Sequence, residues 1–227
     1  TSPFQPFVTS INMGGTNDCI AYINKLAYIG TNYSPGKLII SASAGGYGNT
    51  NYYFDNVRDT SYYSYGWIVS NATNGVIENA TPPYSITYTD IGQGDITNAT
   101  NIAGYMSWGV HSDVLNAGYP TNRSVIFTGQ STWYLIGTCE SFNGQIVQNY
   151  PQGNFIQWFS SNAFGGTNYS NTPIGAVTHV EEPDVTGIEN SQVYFGMWAA
   201  GKNFGICAWN SRQTGYFQAV GDPFITR

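Results

Sequence analysis

Apolar stretches alternate along the chain with segments whose hydrophobic residues return every three to four positions, and Gly, Asn, Ser and Pro separate them. That alternation predicts an α/β protein, a mainly parallel sheet flanked by helices. Residues 7–13 (FVTSINM) read as a first strand turning at Gly14 and Gly15. Thr16 then caps a helix that places Cys19, Ile20, Ile23, Leu26 and Ala27 on one face. Residues 37–44 (KLIISASA) form a second strand. The Tyr-rich stretch 52–70 has no decisive period, although its second half suits a helix under aromatic cover. Further strands are expected at 84–89, 102–108, 125–127, 132–138 and 174–180. An amphipathic helix over 154–164 turns Phe155, Trp158 and Phe159 inward. Helices over 189–200, with Val193, Met197 and Trp198 at core spacing, and over 204–211 lead to a last strand at 216–220.

Composition narrows the picture to one domain spanning 1–227, with 1–12 as an extended arm or first strand. Only 9% of the 227 residues are charged, against roughly a quarter in ordinary soluble proteins. Disorder does not follow, because 41% hydrophobic and 16% aromatic residues leave ample surface to bury. Solubility then rests on neutral polar groups, as in many exported proteins. Seven basic residues and a net charge of −6 leave little to neutralise phosphates, so nucleic acid is not an expected partner. No apolar run reaches the ~18–20 residues of a membrane span. A chain beginning at Thr1 is expected to have lost an upstream segment, as an exported protein loses its signal peptide.

Chemistry in an open parallel sheet gathers at the carboxyl ends of the strands. Two titratable residues follow strands there: His111 after IAGYMSWG and Cys139 after WYLIGT. A cysteine attacks as thiolate and needs a base beside it, and histidine is the usual one. A cysteine ending an apolar strand is also commonly a small buried hydrophobe. Glu181, Glu182 and Asp184 read as a solvated acidic turn, and His179 as a satisfied core or strand-edge histidine. No motif for a metal, nucleotide or other cofactor occurs, since the glycine pairs lack any phosphate-loop spacing. Cys19, Cys139 and Cys207 allow at most one disulfide.

The segments GYMSWGVHSD, WYLIGTCESFNGQ, TPIGAVTHVEEP and YFQAVGDPF together resemble the catalytic half of gingipain-type cysteine peptidases, relatives of caspases. The likeness covers 102–227 and is greater still to secreted bacterial proteins on that fold with a degenerate catalytic dyad. It implies a caspase-like three-layer sandwich in which one strand ends in His-Gly and the next in the nucleophilic Cys. Cys139 takes the nucleophile's position. Trp108 stands before Gly109 where the family has its histidine, and indole, an N–H donor only, accepts no proton.

The expected function is therefore that of an exported, non-catalytic surface or extracellular protein, a homo-oligomer or cell-surface assembly and possible filament former. The alternative is a secreted cysteine endopeptidase using Cys139 and His111. A carbohydrate-binding module, suggested by aromatic residues alone, is a third reading. The proline-containing start TSPFQPFVTS suits an arm that pairs with a neighbour's sheet edge. Sequons at Asn32, Asn71, Asn79, Asn98, Asn122 and Asn168 point to glycosylation.

Overall fold

The computed structural model describes residues 9–10, 14–27, 37–41, 76–78, 85–89, 96–100, 102–107, 125–128, 133–146 and 153–226. The strands are β1 (Thr9–Ser10), β2 (Lys37–Ser41), β3 (Val76–Glu78), β4 (Ser85–Thr89), β5 (Ile96–Thr100), β6 (Ile102–Ser107), β7 (Val125–Thr128), β8 (Leu135–Thr138), β9 (Gly175–His179) and β10 (Phe217–Gly221). The helices are α1 (Thr16–Ala27), the single turn α2 (Asp184–Gly187), α3 (Ser191–Ala199) and α4 (Phe204–Ser211).

Among the described residues the main sheet runs β1-β10-β9-β8-β6-β2-β4-β3, and β5 pairs with β7 in a small separate sheet. The centre is parallel: β9 with β8, β8 with β6, β6 with β2 and β2 with β4. Antiparallel pairs flank it, β10 on β9 and β3 on β4. The expected α/β architecture with a mostly parallel sheet is thus present. β8 and β9 are buried at every position, as strands covered on both faces must be.

Helices α3 and α4 cover one face. Trp198 donates from its indole to the Ala103 carbonyl at 3.0 Å, and Phe204 lies against Gly175 so closely that an added Cβ would meet its ring at 2.8 Å. On the other face Tyr105, Phe127, Tyr134 and Phe164 form an aromatic cluster, with Phe127 and Phe164 stacked at 4.8 Å. Asparagines start the helical segments. Asn154, Asn190 and Asn203 each accept a bond from a main-chain N–H in the first turn that follows.

Three expectations change. The α1 face that meets the protein is Cys19, Tyr22, Lys25 and Leu26, whereas Ile20 and Ile23 are each half exposed and Ala27 is exposed. Tyr22 decides this orientation, because its hydroxyl donates to the Ile174 carbonyl at 2.7 Å and accepts from Asp222 N–H at 2.7 Å. Helix α1 also begins at Thr16 itself, one position earlier than a Thr16 cap requires. Finally, the segment 154–164 is two 3₁₀ turns, Phe155–Phe159 and Ala163–Gly165, although Phe155, Trp158 and Phe159 are buried as expected. Ser160 ends the first turn in extended backbone, at φ −73° and ψ 157°, and Phe164 takes a left-handed φ of 52° within the second. The stretch 52–70 lies outside the described residues.

Candidate functional site

Strands β6 and β8 run side by side in register to their ends, where Ser107 pairs with Thr138. Cys139 follows Thr138, so it stands at the carboxyl rim where such sheets place their chemistry. Trp108 and His111 lie outside the described residues. Strand β9, next to β8, brings His179 to the same rim.

The chain after β8 folds into a tight polar knot. Thr138 donates from its hydroxyl to Glu140 Oε2 at 2.5 Å and accepts from Asn143 Nδ2 at 2.8 Å. Glu140 Oε1 accepts from Gly153 N–H at 2.8 Å. Asn143 Oδ1 accepts from His179 N–H, and Gly144 N–H donates to the His179 carbonyl. Phe142 takes a left-handed φ of 59° to let the chain turn, a conformation that costs about 1–3 kcal/mol in a non-glycine residue. The knot over-determines this strain, since Glu140 and Asn143 are wholly buried.

Above Gly137 sits the carboxyl group of Glu189, from the segment entering α3. A Cβ at Gly137 would stand 2.4 Å from Glu189 Oε1 and 3.2 Å from Val177, so the missing side chain is what admits the acid. Glu189 Oε2 lies 3.9 Å from His179 Nε2, both side chains being fully buried. Among the described residues neither carboxyl oxygen and neither ring nitrogen has a hydrogen-bond partner. The reading of His179 as a satisfied core histidine is therefore corrected. It is a core histidine whose ring rests edge-on to Phe217, and among the described residues its ring nitrogens make no well-formed hydrogen bond.

Burial sets the charge of this cluster. It drives the Glu189 carboxyl well above the usual carboxylate range and lowers His179 to about 4, an effect that nearby main chain of Glu140 and Gly187 only partly opposes. The Cys139 thiol is 5% exposed and is pushed well up, first by burial and then by the acids Glu189 and Glu140. Burial thus favours the thiol, the neutral imidazole and the carboxylic acid over their charged forms. No cation among them stabilises a thiolate.

The structure thus brings Cys139 together with Glu140, Glu189 and His179. The two glutamates escaped sequence reasoning. The available signal was weak, an acid next to the candidate cysteine and a lone glutamate before an apolar helix. The acidic turn is used internally: Glu182 accepts from the Ser141 hydroxyl at 2.6 Å and from Asp184 N–H. Among the described residues no group of three His, Cys, Asp or Glu side chains is arranged to hold a metal. Cys19, Cys139 and Cys207 form no disulfide. Of the sequon asparagines, Asn168 is exposed, Asn98 falls in β5, and Asn32, Asn71, Asn79 and Asn122 lie outside the described residues. No described helix is long and apolar enough to cross a membrane. No family model, curated protein or solved structure matches the chain.

Proposed function

We propose that this chain is an exported, non-catalytic protein that acts by binding and assembly at the cell surface or outside the cell, on a caspase-like sheet whose nucleophile position has become core. One observation carries the reading: Cys139 stands at the rim where such a sheet does chemistry, yet its thiol is buried between acids, which disfavours the thiolate. Trp108 in place of the expected base supports it from the sequence. The low charge and the wealth of Asn, Thr, Ser and Tyr suit polar contacts with other chains or glycans.

On its outer side β10 pairs in parallel with β1, through Ala219 and Val220. The amino-terminal segment expected to serve as an arm therefore contributes residues 9–10 to its own sheet.

The competing reading, a cysteine endopeptidase using Cys139 and His111, needs an uncovered and ionised thiol. Electron microscopy of native material, with a peptide-library digest of the same sample, separates the two. Regular multi-subunit particles or filaments without cleavage are expected. Monomers that cleave peptides, with activity lost in Cys139→Ala, would replace this reading with the peptidase.

A further inference from the structure

Helix α1 and the turn at 167–172 enclose an open groove of about 530 Å3, within the roughly 300–1,000 Å3 usual for small-ligand clefts. Asn17, Ile20, Asn24, Lys25, Asn168 and Tyr169 line it. Three side-chain amides can both donate to and accept from hydroxyl groups. Ile20, half exposed, and the Tyr169 ring add apolar surface suited to the C–H face of a sugar. The lysine adds little charge. Its Nζ already donates to the Thr172 carbonyl at 2.6 Å and the Thr172 hydroxyl at 2.5 Å, and burial lowers it to about 7. A polyhydroxylated, largely uncharged occupant fits this lining.

The turn presents one wall residue in a particular way. Asn168 and Tyr169 are successive non-glycine residues in the left-handed region, at φ 52° and 65°, which side chains adopt at a cost. Bonds hold them there: Tyr169 donates from its hydroxyl to Asp18 on α1 at 2.9 Å and from its N–H to the Ser161 carbonyl, and Thr167 N–H donates to the Ser170 hydroxyl. Asn168 is exposed, lines the groove and opens the sequon Asn168-Tyr169-Ser170. A sugar on its amide would start inside the groove.

We infer that Asn168 carries an N-linked glycan whose first sugars lie back along this groove against Ile20 of α1. The modification replaces one Nδ2–H by a bond to the anomeric carbon of a polyprenyl-phosphate-linked oligosaccharide. The anomeric C–O bond breaks, the phosphate carrier leaves with that bond's electrons, and the amide proton is released. The inference rests on the export proposed above, since such donors meet only chains leaving the cytosol.

Glycopeptide mass spectrometry of protein from its native source tests occupancy. The peptide bearing Asn168 is expected to carry a glycan; a bare Asn168 overturns the inference. If other sequons are occupied while Asn168 is bare, the inference fails and export stands. If every sequon is bare and the protein is recovered from the cell interior, both fail. Hydroxyl-radical footprinting tests the seating. Ile20 is expected to label several-fold more in Asn168→Gln than in the native chain, while Ser170→Thr, which keeps the sequon, stays protected. Equal labelling of Ile20 in all three would show a glycan projecting into solvent and would overturn the groove assignment.

Discussion

At the residue scale, the rim cluster shows how burial decides protonation. Burial raises the Glu189 carboxyl above its unfolded value, and His179, lowered to about 4, stays neutral where the unfolded histidine is charged. The two shifts act on stability with opposite signs. Above about pH 4 the folded chain holds the Glu189 proton more tightly than the unfolded chain, and up to about 6.5 the unfolded chain holds the histidine proton more tightly, so the two slopes oppose each other. Of the two, only Glu189 acts above the histidine range, and its raised value contributes a fall in stability with rising pH of up to about 1.4 kcal/mol per unit, against which Lys25, lowered to about 7, contributes a rise. Glu189→Gln removes that fall. The variant's melting temperature relative to wild type should rise with pH above the ordinary carboxylate range, and a constant difference would show that the fold does not raise Glu189. Little of this was legible in the sequence. Cys139 was placed at a strand end from its apolar run, but nothing in the spacing says that an acid 50 positions away would lie beside it.

At the element scale, the strands and carboxyl-terminal helices were legible because their apolar runs are continuous and their ends marked. β2, β4, β6, β8, β9, β10, α3 and α4 all fall where their patterns place them. β3 and β5 were not anticipated. Helix α1 was placed but rotated, because its isoleucines outrank Tyr22 in hydrophobicity while only Tyr22 can bond two main-chain groups at once. Tyr22→Phe leaves the Ile174 carbonyl and the Asp222 N–H without that partner and should cost about 1–3 kcal/mol by denaturant melt, as loss of buried hydrogen bonds does. No change would mean that α1 is held by packing alone. The β8–α3 contact gives a sharper case. Gly137→Ala forces its Cβ into the Glu189 carboxyl and should cost about 1–3 kcal/mol, as overpacking does. In a Glu189→Ala background the same substitution should cost markedly less, because the obstructing atoms are gone. Equal costs in both backgrounds would show that the glycine answers to something other than Glu189.

At the scale of the whole molecule, the core joins both faces of the sheet in one cluster that includes Cys139 and Cys207, so a reagent reaches either thiol only when the fold opens. This is the claim on which the non-catalytic reading depends. It is tested most directly by peptide-resolved alkylation of the native protein with a small haloacetamide at neutral pH, followed across a series of denaturant concentrations. The account predicts that Cys139 and Cys207 label slowly and together, at rates that rise in parallel as denaturant promotes unfolding. Rapid labelling of Cys139 alone in the absence of denaturant, with Cys207 still protected, would contradict it and return the residue to the role of nucleophile.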